Sequence, residues 1–313
     1  VALTGSSCYN LAQMEPESRK GFLTDIYTSA GLDLQVGRIP IGSCDYSPEL
    51  YSYDDIKDDT ALAHFSVEKD EAYILPMIHE VIRTNPDIYL FASPWSPPSW
   101  MKTGESMCGG YMRDRYIECY ARYFLRFLEE YEKRGVAISA ITPQNEPHAE
   151  QDARYPTCMW HPEIEAKFIL ELRKKLTEAG RSTEIWMHDH GFEKWSKILW
   201  CFKEYPELLD ACGSIAFHYY DYYIEMTDII RQAHPALHFH FTEGGPRLYD
   251  NYATDHCKWG MMMAKALNRG FLSFTGWNLL LDETGGPNIG PFFCGGLATR
   301  NTQTGELSYS GQY

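Results

Sequence analysis

The chain has 313 residues, 44% of them hydrophobic and 23% charged, enough for one large domain with a sizeable core. It holds no run of about 18 apolar residues, which excludes a membrane-spanning helix as the sequence reads. The formal net charge of −15 argues against a nucleic-acid backbone as partner and fits an enzyme with a neutral substrate.

Strand-like and helix-like segments alternate from end to end. Val1 to Leu3 is a short apolar start, the first predicted strand. Pro16 opens a helix that buries Phe22, Leu23 and Ile26 and stops at Gly31. Leu34 to Ile41 reads as the second strand, followed by a long polar loop with Asp45, Tyr51 and Tyr53. Met77, Ile78, Val81 and Ile82 give a helical stripe after Pro76. Ile88 to Ala92 is the third strand, broken by the proline-rich run Ser93 to Pro98. Tyr116, Tyr120, Phe124, Phe127 and Tyr131 share one helical face that reads as core, with Gly135 at the C-terminal cap.

Val136 to Gln144 is the fourth strand, and Pro162 opens a helix closed by Gly180. Glu184 to His188 is the fifth strand, with its helix marked by Trp195, Ile198, Leu199 and Phe202. Ser214 to Tyr219 is the sixth strand, and Met226 to Ala233 the next helix. Leu237 to Glu243 is the seventh, Met261 to Leu267 is helical, and Phe271 to Leu281 carries the eighth. Eight strands alternating with seven helices is the pattern of a parallel (β/α)₈ TIM barrel over residues 1–281. Residues 282–313 are polar and glycine-rich and read as a loop after strand eight, cut off before an eighth helix.

Nine cysteines, an odd number with no C-x-x-C pair, read as mostly free thiols in a reducing, cytoplasm-like compartment. A secreted chain with one or two bridges stays open. The chain starts at Val1 without a Met, so the N-terminus reads as trimmed and the lack of a signal peptide says little. Oligomeric state is not legible.

Two predicted strands end abruptly in a glutamate. Val136, Ile138 and Ile141 lead to Glu146, stopped by Pro147; Leu237, Phe239 and Phe241 lead to Glu243, stopped by Gly244-Gly245. A carboxylate at the tip of a buried strand is costly without a partner or a task. The two are 243 − 146 = 97 residues apart, or three βα units at roughly 31 residues each, which puts them on strands four and seven. Both then point into the carboxyl-terminal mouth, where paired carboxylates can work on one bond. Both being Glu rather than the shorter Asp, the expected gap is the short one, about 5–5.5 Å, which leaves no room for a water and forces a covalent intermediate. Other strand ends are rich in sugar-binding types: Arg38 and Asp45, Trp95, His218 with Tyr219 and Tyr220, and Trp277 with Asn278.

With these residues in place, the chain resembles glycoside hydrolase family 30, the group that contains the glucosylceramidases. The resemblance covers nearly the whole chain. It rests on Gly37 to Pro40, Ser43 to Ser47, Ala92 to Trp100, Asn145-Glu146-Pro147, His218 to Tyr220, Thr242-Glu243, Gly276 to Asn278 and Gly285 to Asn288. It implies a retaining β-glycosidase acting on a carbohydrate or glycolipid, with Glu146 as acid/base and Glu243 as nucleophile. It implies that Asn145 holds the sugar 2-hydroxyl, that Arg38 and Tyr220 hold the nucleophile, and that Asp45, Trp95 and Trp277 grip the terminal sugar with His218 beside them. No cofactor and no metal are expected. A nearby guanidinium should keep Glu243 ionised, while Glu146 in an apolar rim should keep its proton.

The chain departs from the family at Gly245, where glucosylceramidases carry a cysteine, and at Phe292, where an asparagine is frequent. The resemblance also implies an accessory β-sandwich built from both chain ends, which is expected to be missing from this sequence because its ends read as trimmed. β-Glucoside, β-1,6-glucan, β-xyloside and β-fucoside are all open as substrates. Two other classes are also open. In a metal-dependent hydrolase, His188-Asp189-His190 or His238 and His240 would be the ligands. The third reading is a non-catalytic sugar-binding barrel.

Overall fold

The barrel starts at the second residue. Ala2 bridges Arg38 on one side and Asn278 on the other, both in parallel. Leu3 N–H donates to the Arg38 carbonyl at 2.8 Å, and Leu279 N–H donates to the Ala2 carbonyl at 3.1 Å. In this computed structural model, which describes residues 1–149, 153–221, 223–248 and 255–313, seven longer strands make up the rest of the ring. In chain order the elements are α1 (Gly5–Ala12), α2 (Pro16–Tyr27), β1 (Val36–Pro40), α3 (Ile74–Thr84), β2 (Tyr89–Ser93), α4 (Ile117–Lys133) and β3 (Ala140–Ile141). They continue with α5 (Pro162–Glu178), β4 (Glu184–Gly191), α6 (Trp195–Glu204), α7 (Leu208–Ala211), β5 (Ser214–His218), α8 (Thr227–Ala233), β6 (His238–Glu243), α9 (Asp255–Asn268) and β7 (Phe271–Phe274). The seven strands lie side by side in sequence order, and every pairing is parallel. With the Ala2 segment as the missing stave, the ring is a TIM barrel.

Three expectations change. The first predicted strand is a single paired residue, and residues 5–12, unassigned from sequence, form α1. Its Ser-, Gly- and Asn-containing sequence is a poor helix former. Capping by Thr4, whose Oγ1 accepts from Ser7 N–H at 3.1 Å, and the burial of Cys8 and Leu11 hold it. The eighth predicted strand splits. Phe271–Phe274 stays in the barrel, while β8 (Leu280–Asp282) leaves it for a second sheet with β9 (Ala298–Arg300) and β10 (Leu307–Tyr309). The region expected as a loop over residues 282–313 therefore carries two strands. Gly296 allows the chain to return, since a Cβ there would meet the Ala298 carbonyl oxygen at 2.5 Å. Strands of three residues are too short to show a period. Among the described residues no helix follows β7 and none is long and apolar enough to cross a membrane.

The aromatic face of α4 is core, as its spacing predicts. Tyr120, Phe124, Phe127 and Tyr131 are all fully buried, and Phe124 packs on Phe168 of α5 with ring centroids 5.2 Å apart. Each such ring contributes roughly 1.5–3 kcal/mol by leaving water. The barrel interior below the mouth is filled by Phe91, Trp186 and His240, the last two stacked at 3.7 Å.

Asp70 is buried, and among the described residues no cation lies on its oxygens. Tyr51 donates to Oδ1, and Tyr53 and Tyr131 donate to Oδ2, each at 2.6 Å. This ties the loop after β1, which carries Asp45, to the back of α4. An acceptor removed here leaves three buried hydroxyls unpaired, each costing about 1–3 kcal/mol. Asp70→Ala should therefore lower stability by about 3 kcal/mol or more in urea unfolding, and Tyr51→Phe by about 1 kcal/mol. A loss below 1 kcal/mol for Asp70→Ala would show that the hydroxyls find other partners.

Candidate active site

Arg38 on β1 is fully buried, so its charge must be matched locally. Its Nη1 donates to Oε2 of Glu243; its Nη2 donates to Asn145 Oδ1 and Asp189 Oδ2, both at 2.8 Å; its Nε donates to Ser93 Oγ at 3.2 Å. The guanidinium carbon lies 4.8 Å from the Trp95 ring centroid and 5.5 Å from that of Trp277. The two indoles also stack on each other at 5.1 Å. They line the mouth but are only 2% and 3% exposed. Much of their face is given to Arg38 and to each other, so they act as a wall more than as an open sugar platform.

Asp189 reaches this network through an irregularity in β4. The pairing with β5 shifts between His188 and His190, and Asp189 takes a φ of 49°. Its carboxylate accepts from Arg38, from Thr142 and Thr242 hydroxyls at 2.7 Å each, and faces His218 Nε2 at 3.0 Å. Burial alone would raise its pKa; Arg38 and His218 outweigh that and hold it well below the carboxylate range.

His218 ends β5 and joins the three acids. Its Nε2 lies 3.0 Å from Asp189 Oδ1, and its Nδ1 lies 3.0 Å from Glu146 Oε1 and 3.7 Å from Glu243 Oε1. Burial opposes the charged ring, but Glu243 and Asp189, with hydrogen bonds to Asp189 and Glu146, push its pKa up to about 10. The expectation that Glu146 keeps its proton is corrected here. Burial favours the neutral acid, yet the hydrogen bond and charge of His218 lower its pKa below the ordinary value. In the resting site the proton sits on the imidazole side of the His218–Glu146 pair.

Glu146 lies beyond the short β3, at a φ of 47°, with its N–H bonded to the Asp189 carbonyl at 3.0 Å. Positive φ is costly for a residue with a side chain and is sustained at functional sites. Glu243 ends β6, and Tyr220 donates to its Oε1 at 2.9 Å. Oxygens of Glu146 and Glu243 come within 4.8 Å of each other. Both line a cavity of about 340 Å³ together with Asp45, Trp95, Asn145 and Trp277. Asp45 is 6% exposed, and its Oδ1 has no partner among the described residues. Burial first, then the charges of Glu243 and Glu146, raise its pKa well above the usual value. The carbonyl of Asn145 is taken by Arg38, which leaves its amide N–H₂ as the group to offer a ligand.

Arg38, Asp45, Trp95, Asn145, Glu146, His218, Tyr220, Glu243 and Trp277, the residues the resemblance pointed to, therefore meet at one mouth, whereas Asn278 bonds to Thr4 and Tyr219 packs against Phe192. Sequence reasoning missed Asp189 as the second anchor of Arg38, along with Thr142, Thr242 and Ser93. The signal is a polar His-Asp-His run at the end of an apolar strand, which the sequence leaves open between satisfied rim histidines and a minor metal-ligand alternative. His240 is instead bonded to Ser273 Oγ at 2.9 Å and stacked on Trp186, and His188 Nε2 lies 3.0 Å from the Gly191 carbonyl. Among the described residues the one cluster with metal-ligand spacing is Glu146, His218 and Glu243, which contains none of those histidines.

The family model described as "Glycosyl hydrolase family 30 TIM-barrel domain" matches residues 1–295. The chain is 33% identical to "Putative glucosylceramidase 3" of Caenorhabditis elegans over 295 residues, covering 87% of this chain and 56% of that protein. It is 28% identical to "Lysosomal acid glucosylceramidase" of Mus musculus, covering 92% of this chain and 60% of that one. It thus spans less than two thirds of these relatives. The solved structure of "The endo-beta1,6-glucanase BT3312" superposes with a TM-score of 0.93 at 27% identity, covering all of this chain and 73% of that one.

The His218 network predicts a pH signature. A histidine raised from 6.5 to about 10 on folding contributes stability that is fully present below pH 6.5 and is lost as pH rises towards 10. Glu146, lowered on folding, acts only in the acid range. The stability advantage of the wild type over His218→Gln should therefore narrow between pH 6.5 and 10, by on the order of 3 kcal/mol in chemical denaturation. A difference that stays constant over this window would rule out a buried imidazolium.

Proposed function

The chain belongs to glycosyl hydrolase family 30, and from that premise we propose that it is a retaining β-glycosidase. It would release a terminal β-linked sugar, of the β-glucoside or glucosylceramide type, by double displacement. The observation that carries this reading is the pair Glu146 and Glu243, with oxygens within 4.8 Å and with different partners. The short gap favours a covalent glycosyl-enzyme over attack by an intervening water.

Glu243 is the nucleophile, oriented by Arg38 and Tyr220, one on each oxygen. Glu146 is the acid/base, and His218 shares its proton across 3.0 Å. In the first step a Glu243 oxygen attacks the anomeric carbon while the proton resting on His218 Nδ1 passes through Glu146 to the leaving oxygen, which leaves His218 neutral. In the second, Glu146 takes a proton from water, the hydroxide oxygen bonds to the anomeric carbon, and Glu243 leaves as carboxylate. Asp45 and Asn145 offer hydrogen bonds to the sugar, and Trp95 and Trp277 wall its pocket. A β-1,6-glucanase would use the same chemistry, and the far side of the cavity bears on that choice.

Glu146→Ala should reduce kcat/KM by roughly 10²–10⁴-fold for an alkyl β-glucoside. A nitrophenyl β-glucoside, whose leaving group needs no proton, should change far less in kcat/KM. Equal losses on both substrates would remove Glu146 from the acid role. Proton NMR of the first-formed sugar should show the β-anomer, and initial release of the α-anomer would sink double displacement.

A further inference from the structure

Glu146, after β3, and Glu243, at the end of β6, divide the rim of the barrel into two arcs. One arc runs from β7 through Ala2 to β1 and β2 and carries Trp277, Asp45 and Trp95. The other comprises β4 and β5 and carries His190, Glu193 and Asp221. A bond cut between two carboxylates leaves the sugar on one side of them and the leaving group on the other. The first arc holds the indoles and the unpartnered Asp45 oxygen that suit the terminal sugar. The second arc therefore faces the leaving group.

That arc is built from hydrogen-bonding groups. His190 Nδ1 accepts the Gly191 N–H at 2.6 Å, so it carries no proton. Burial keeps the ring neutral, with its pKa pushed down to about 4. The proton is then on Nε2, a buried donor with no acceptor among the described residues. Three residues on, the Glu193 carboxyl bonds to that of Asp221, and burial together with this contact raises the Glu193 pKa to about 7. The pair thus offers both a donor and an acceptor. The space it fills exists because residue 191 is glycine: a Cβ there would sit 2.1 Å from Glu193 Oε2 and 2.7 Å from Asp221 Oδ2. A second cavity of about 190 Å³, lined by Asp221 and Lys258, adjoins the first at Tyr220, which lines both. Alkyl chains laid here would strip water from these groups and give nothing back. The exposed rings at this rim, Tyr220 and Tyr223, have faces that stack on sugars as well as on lipid.

We infer that the leaving-group side is a subsite for a second sugar residue, bound through His190 Nε2–H and the Glu193–Asp221 carboxyl pair, so that the preferred bond joins two sugars rather than a sugar and a lipid. This rests on the reading that Glu146 and Glu243 cut a β-glycosidic bond. The test compares kcat/KM on a β-1,6-linked glucose disaccharide, 4-nitrophenyl β-glucoside and glucosylceramide in detergent, for the wild type, His190→Phe and Glu193→Leu. The wild type should prefer the disaccharide to glucosylceramide. In each variant the ratio of disaccharide to nitrophenyl activity should fall about 10- to 100-fold, because the nitrophenyl group has no hydroxyls for these side chains. The ratio is internal to each protein sample, so partial misfolding does not move it. A ratio unchanged within about twofold in both variants, or a wild-type preference for glucosylceramide, would overturn the second-sugar subsite. A wild type inert on the nitrophenyl glucoside would instead overturn the glycosidase reading beneath it.

Discussion

A guanidinium sealed inside a barrel has to be matched on every side, and the matching of Arg38 organises this mouth. Its partners come from different parts of the ring: Ser93 from β2, Asn145 after β3, Asp189 from β4 and Glu243 from β6. Thr142, just after β3, and Thr242, beside Glu243, add hydroxyls, and His218 closes the circuit from β5. Removing one acid from such a network exposes the rest to an uncompensated buried charge. The positions of the reacting carboxylates are therefore not set one at a time by local loops. They are set together, by strands that the barrel already holds in register.

The same closeness decides where protons reside. Glu146 is buried in a place that would favour the neutral acid, and it is ionised because an imidazolium touches it. Burial and pairing pull in opposite directions, and pairing wins at 3.0 Å. Asp45 shows the other outcome. It is more enclosed, the charges that act on it most, Glu243 and Glu146, are like its own, and its carboxyl is driven towards the neutral form. Two acids on one mouth thus take opposite states from the presence or absence of one cationic neighbour.

Much of this was legible in the sequence, and the exceptions have physical causes. Runs such as Phe239 to Glu243 and the α4 stripe of Tyr120, Phe124, Phe127 and Tyr131 are long enough for their periods to identify strand and helix. The 97-residue spacing of Glu146 and Glu243 places them three units apart in a barrel, and there they lie. What a period cannot show is an element of one or three residues. Ala2 seals the ring with hydrogen bonds from its own backbone, which no side-chain pattern records. Strands β9 and β10 are too short to alternate visibly. The role of Asp189 was hidden for another reason. A break in the β4 register turns it inward, and a one-residue shift of a strand exchanges the faces its side chains serve.

The buried network has a further property that follows from its membership. At rest it holds two positive groups, Arg38 and His218, and three negative ones, Asp189, Glu146 and Glu243, a sum of one negative charge. In the mechanism proposed, forming the sugar ester on Glu243 erases one negative charge, while the proton lost to the leaving group erases one positive charge. The sum is again one negative. Covalent capture and proton departure compensate within a few ångströms, so the total charge seen by the surrounding protein is the same before and after the bond is cut. Low-dielectric surroundings penalise changes of net charge more than rearrangements of it. A site that keeps this quantity invariant through its cycle asks little dielectric relaxation of a barrel too tightly packed to supply it.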